Sequence, residues 1–410
     1  MGNLVTFAER FFEKDFTQMP LTEVDSLILC NLSYYEYENS IFETDKFEET
    51  VQLYLQERPE GEIKGLVSVE KDKKLRQILV RGGRHGNLRA GGFVGILDTE
   101  SDKQFSAITF CLGNGKYYIA FRGTDGTLTG WREDFNLSFT KEIPAQEEAV
   151  SYAKKIMDCI AGEFYLGGHS KGGNLAVYCA SMLTEEYQNR IIGVFNHDGP
   201  GFLKEFYQQE GYQKIRHKLQ KTVPESSVIG MLLEEDDHYQ VVKSTENGLM
   251  QHDPFSWCVE MERFVKVKDV DHISFYTSLA LRKWLEQLDM EERERIVNTV
   301  FDVIADTGIR EFEELTEQKR KRIRLLLESI RSVKSEDRKL VIQAIGNLFS
   351  LSIEEIQEAV KIESIIYLEQ YLREHIPENI QNIIPGNVQN RIQNKITKIK
   401  TNIEYKKEME

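Results

Sequence analysis

The stretch that most narrows the fold is Glu163–Tyr178, which reads E-F-Y-L-G-G-H-S-K-G-G-N-L-A-V-Y. Its first part is an apolar strand pattern and its last part a helix pattern. Between them lies Gly168-His169-Ser170-Lys171-Gly172, a G-x-S-x-G turn. A serine there is forced into a sharp, strained turn that pushes its hydroxyl clear of the strand end, and bulky residues on either side would collide. The following helix aims its N-terminal N–H groups at charge developing beside the serine. Ser170 is therefore the candidate nucleophile.

The surrounding pattern supports that context. Phe105–Leu112 and Lys116–Arg122 read as strands joined by Gly113-Asn114-Gly115, a hairpin signal. Glu163–Gly167, Ile191–Asn196, Val228–Leu233 and Tyr239–Lys243 read as further strands, with a helix from Lys171. Strands alternating with helices predict an α/β fold whose largely parallel sheet is flanked by helices. Residues 1–90 read as an N-terminal helical or lid segment packed on the core, with Thr22 and Asp25 at helix-cap positions. Residues 91–284 form the expected α/β-hydrolase core and 285–410 an all-helical C-terminal appendage. In that appendage Ile296, Val300, Phe301 and Ile304 share one helical face, as do Ile323, Leu326, Leu327 and Ile330.

Tyr118–Thr124 is a strand ending in F-R-G-T, followed by Trp131-Arg132-Glu133-Asp134. Here the chain resembles the class 3 lipases, which place a similar strand end and W-x-x-D segment before a G-H-S-x-G turn. The resemblance implies Thr124 as an oxyanion donor with the Lys171 amide, and Asp134 as the group holding Thr124. An Arg122–Asp134 ion pair is the plainer reading of the same residues. Over roughly 105–260 the chain is similar to a bacterial α/β-hydrolase family of unknown function related to these lipases. The shared strings are G-H-S-K-G-G-N-L-A, Asn196–Gly201 (N-H-D-G-P-G), Val223–Ser227 (V-P-E-S-S), Gly230–Glu234 (G-M-L-L-E) and Gln251–Trp257 (Q-H-D-P-F-S-W).

A serine nucleophile needs a base and an orienting acid, supplied in the order Ser, acid, His in α/β-hydrolases. His252 is the first choice of base, with His272 its rival; His238 reads as a solvated loop residue. For the acid, Glu234 is favoured, with Asp237 and then Asp198 as alternatives. His169 and His197 read as braces of the turn. The reading is thus a serine esterase or lipase-like hydrolase acting on a small ester or lipid. The alternative is a non-catalytic binding or scaffold protein that keeps the fold and recruits partners through its helical region.

Composition removes other classes. A net charge of −15 disfavours a nucleic-acid partner. Cys30, Cys111, Cys159, Cys179 and Cys258 form no CxxC pair, which reads as reduced thiols in a cytoplasmic protein. No basic n-region precedes an apolar h-region, and no apolar run approaches membrane-spanning length. No metal-ligand spacing or phosphate-binding motif is evident, so no cofactor is expected. Late in the chain Val388, Ile392, Ile396, Ile399 and Ile403 make an apolar stripe among Arg391, Lys395, Lys398, Lys400, Lys406 and Lys407. Such a helix could contact an anionic membrane, pair with a second subunit, or pack on the chain's own acidic body. The stripe has no Trp or Phe, which favours self-association or packing over membrane contact.

Overall fold

The computed structural model describes residues 1–37, 47, 49–58, 68–233, 238–271 and 288–305. The chain divides into two compact units, the first containing Met1–Asn298. Of the second, only 299–305 is described, as the end of the helix Met290–Ala305. Ile296, Val300, Phe301 and Ile304 are buried along that helix. The stripes at 323–330 and 388–403 lie outside the described residues.

Among the described residues, the first unit is built on one eight-stranded sheet whose spatial order equals its chain order. The strands are β1 Glu49–Thr50, β2 Arg89–Asp98, β3 Lys103–Gly113, β4 Lys116–Phe121, β5 Glu163–His169, β6 Ile191–His197, β7 Leu219–Pro224 and β8 Tyr239–Val242. Pairing is antiparallel from β1 to β4 and parallel from β4 to β8. The hairpin between β3 and β4 turns at Asn114 and Gly115, with φ of 52° and 70°. Those two left-handed residues match the twist of the flanking strands, as the Asn-Gly pair predicts.

Sequential parallel order has a consequence for the two faces. Right-handed crossovers between successive neighbours put every connecting helix on the same side. Pro144–Cys159, Lys171–Met182 and Glu210–Ile215 accordingly share one core with Phe105, Ile119, Phe121, Leu166 and Val194. The other face cannot be covered from within these units. It is covered by the N-terminal helices, where Val24, Leu27 and Ile28 of Glu23–Leu32 pack with Phe110, Tyr118, Ala120 and Phe195. Along β4, Tyr118 and Ala120 face one core and Ile119 and Phe121 the other, the period-2 alternation of a strand buried on both sides.

Val228–Leu233 is not a strand. Ser227 Oγ accepts from Gly230 N–H at 3.1 Å, and Met231 and Leu232 N–H bond the carbonyls of Val228 and Ile229. The run is apolar without joining the sheet, because Met231 is buried with Val223 and Val241 and Leu233 packs on the helix-side core, while Gly230 lies against Asp198. Among the described residues, no helix is long and apolar enough to cross a membrane. All five cysteines are free.

Candidate active site

Ser170 sits between β5 and the helix Lys171–Met182 with φ 58° and ψ −135°, a conformation that side chains other than glycine rarely adopt. The glycines on either side are required by close approach. A Cβ on Gly168 would stand 2.1 Å from the Gly172 carbonyl carbon, and one on Gly172 would stand 2.1 Å from the Phe121 carbonyl oxygen. The helix start is thus pressed against both its own strand and β4. Ser170 N–H donates to the His197 carbonyl at 2.9 Å, which pins the turn to β6.

Asp198 follows β6 at φ 55° and is buried. Its Oδ2 accepts from His252 Nδ1 at 2.7 Å, while Oδ1 accepts from Ser227 Oγ at 2.5 Å. Bonding Nδ1 to the carboxylate leaves Nε2 as the free nitrogen of the His252 ring. His252 is held from a second side by His169, the residue before Ser170. His169 Nε2 donates to the His252 carbonyl at 2.8 Å, and the two rings lie 4.5 Å apart. Since His169 Nε2 donates, its Nδ1 accepts from the Tyr34 hydroxyl at 3.1 Å. Burial, and then the neighbouring His252, hold the His169 pKa well below the ordinary value, so the brace is neutral. His197 sits beneath, with Nε2 2.8 Å from Ser26 Oγ, and burial lowers its pKa to about 3.

The segment that follows β4 lines another side of the serine. A Cβ on Gly123 would lie 2.2 Å from Tyr34 Oη and 3.1 Å from Ser170 Cβ, so the Arg122-Gly123-Thr124 segment runs directly beside the serine. Thr124 Oγ1 donates to Asp134 Oδ2. Burial raises the Asp134 pKa to about 6, opposed by Lys171 and by the Thr124 hydrogen bond. Arg122 pairs with Asp125 at 3.3 Å, not with Asp134 as the plainer reading has it. Asp134 instead faces the Lys171 ammonium at 3.7 Å.

The structure therefore brings Ser170, Lys171, Thr124, Asp134, Asp198 and His252 into one region. Among the described residues the carboxylate on His252 is Asp198, the last of the three acids in the sequence ranking. Glu234, Asp237 and the rival base His272 lie outside the described residues. His238 pairs with Arg216 at 3.1 Å. Groups the sequence reading missed include Ser227, Tyr34, Gln251 and Glu133. The signal for two of them was present in the strings V-P-E-S-S and Q-H-D-P-F-S-W, which interlock. Ser226 N–H donates to Gln251 Oε1 at 2.7 Å, Gln251 Nε2 to Ser226 Oγ at 3.0 Å, and Trp257 Nε1 to the Gln251 carbonyl at 2.8 Å. Asn174 ties the helix to the N-H-D-G-P-G loop, donating to the carbonyls of Pro200 and Gly201. Among the described residues, no group of three or more His, Cys, Asp or Glu could hold a metal ion.

Among solved structures, a crystal structure of M37 lipase is 14 % identical, with a TM-score of 0.33, over 52 % of this chain and 69 % of that one. The Rhizomucor miehei lipase propeptide complex is 17 % identical, with a TM-score of 0.29, over 39 % of this chain and 58 % of that one. At these values the likeness bears on neither substrate nor mechanism. No curated protein matches the chain. The family model described as Mbeg1-like matches residues 79–302, more than half of the chain and the span that holds Ser170, Asp198 and His252. By that match the chain belongs to the Mbeg1-like family.

Proposed function

We propose that the protein is a serine hydrolase of carboxylic esters, lipid esters included, working through Ser170, His252 and Asp198. The observation that carries this reading is the 2.7 Å bond from His252 Nδ1 to buried Asp198, made beside a serine at φ 58° on a helix N-terminus. That bond fixes the imidazole tautomer with Nε2 free to act as a base. In this reading Nε2 takes the Ser170 proton as Oγ attacks the acyl carbon. Asp198 stabilises the imidazolium that forms. The oxyanion is received by the Lys171 amide and Thr124. His252 then protonates the leaving alcohol, and water repeats the sequence on the acyl-enzyme to release the acid.

Turnover of short p-nitrophenyl esters tests the proposal. Wild type hydrolyses them and Ser170→Ala does not, with a melting temperature nearly unchanged, since one oxygen is lost from the end of a turn. Equal turnover by the two proteins would remove Ser170 as nucleophile.

A further inference from the structure

The residue after the nucleophile in a G-x-S-x-G turn contributes its amide, and the pattern leaves its side chain open. In this chain that residue is Lys171, and its ammonium group is wholly buried. Nζ lies 2.9 Å from the Gln104 carbonyl, 2.8 Å from Gln104 Oε1 and 2.8 Å from Glu133 Oε2. Glu133 is saturated in turn. Its Oε2 also accepts from Gln104 N–H at 3.0 Å, and its Oε1 from Ala145 N–H at 2.9 Å. The cluster joins β3, the helix Leu128–Asn136, the first turn of Pro144–Cys159 and the start of Lys171–Met182.

Stability does not account for it. Taking both charges out of water costs more than most buried pairs return, and apolar side chains of similar volume would join the same elements at least as well. A charged cluster in which Lys171 Nζ has three acceptors and both Glu133 oxygens are bonded supplies direction instead, because each of these bonds holds in one geometry. The backbone just before Lys171 needs such restraint. Ser170 is strained at φ 58°, and strain of this kind persists only where the surroundings over-determine it.

We infer that the Lys171 side chain and Glu133 are positioning groups, which hold the Lys171 backbone N–H where it meets the oxyanion. The inference rests on the hydrolase reading above. Lys171 is held at both ends, by its peptide in the first helical turn and by Nζ between Gln104 and Glu133. An oxyanion donor is effective only within a few tenths of an ångström of its ideal place, so freeing one end lowers the rate of the chemical step and not the affinity for ester.

The test uses the full chain and p-nitrophenyl ester kinetics for wild type, Ser170→Ala, Lys171→Met, Glu133→Gln and the double variant. The single variants each remove one charge of the Lys171–Glu133 pair and can fail to fold; the double variant removes both, and Asp134, 3.7 Å from the ammonium, keeps Thr124 as its hydrogen-bond partner. In it kcat is expected to fall on the order of ten- to a hundredfold with KM within about threefold, alongside a cooperative melt. Each single variant that folds is expected to show a loss no smaller than the double variant's, because the two groups act as one unit. A folded double variant with the wild-type kcat overturns the inference. So does a double variant that cannot fold, since the pair would then serve stability alone. Absence of turnover in wild type, or turnover retained by Ser170→Ala, removes the hydrolase reading instead.

Discussion

Asp198 pairs with His252 from a position that sequence order alone ranks low. It lies directly after β6, in a left-handed conformation at φ 55°, and the turn Val228–Leu233 closes over it. The sequence offers Glu234 and Asp237 after an apolar run that looks like a strand, and nothing local reveals that the run is a turn. What was legible at this scale was the serine, because G-x-S-x-G is demanded by sterics that any sequence shows. The carboxylate bonded to His252 was not, because that pairing depends on a fold that brings residues 54 positions apart together. Asp198→Asn is expected to lower kcat by roughly 10³–10⁴-fold by losing the tautomer lock, while Glu234→Gln stays within about twofold. The reverse order, measured in the same ester assay, would move the acid back to Glu234.

His197 gives a second prediction at this scale. Its folded pKa is about 3, against 6.5 for an exposed histidine. Between those values the unfolded chain binds a proton that the folded chain refuses, so stability from this residue falls as pH drops below about 6.5 and levels off near 3. His197→Gln removes that term. The stability gap between wild type and variant is therefore expected to shrink with acidification, by up to about 1.4 kcal/mol per pH unit, in urea titrations from pH 7 to 4.5. A gap independent of pH would mean that His197 titrates normally in the fold.

At the scale of elements, the caps and the hairpin were readable and the arrangement of the faces was not. Thr22 and Asp25 form the capping box of Glu23–Leu32, as their spacing predicts. The same Asp25 does more than cap. Buried, it accepts from Arg84 Nε and Nη2 at 2.7 and 2.8 Å and lies 2.8 Å from His85 Nε2. Arg84 also bonds the carbonyls of Lys14, Asp15, Met19 and Pro20. Burial would raise the Asp25 carboxyl, but Arg84 and His85 outweigh it and bring the pKa down to about 2. Local periodicity could not show this, because the partners lie 59 and 60 positions away. The cluster fastens the helix that covers the second face of the sheet. Asp25→Asn leaves the Arg84 charge buried without its partner and is expected to destabilise the chain by roughly 3–5 kcal/mol in urea unfolding. A cost below about 1 kcal/mol would show that the face is held by apolar packing alone.

For the whole molecule, every group assigned to the site lies in the Met1–Asn298 unit. A chain ending after Ala305 is therefore expected to keep kcat/KM for a soluble ester within about threefold of the full chain, because a compact unit carries its own core. Loss of turnover on truncation would give the C-terminal region a part in forming the site. The covalent step tests the central claim most directly. After reaction with a fluorophosphonate, the intact mass of wild type is expected to rise by one adduct, located at Ser170 by peptide mass spectrometry. Ser170→Ala should gain none, and Asp198→Asn should label far more slowly. An unlabelled wild type, or an adduct on another residue, would contradict the assignment of Ser170 as the nucleophile.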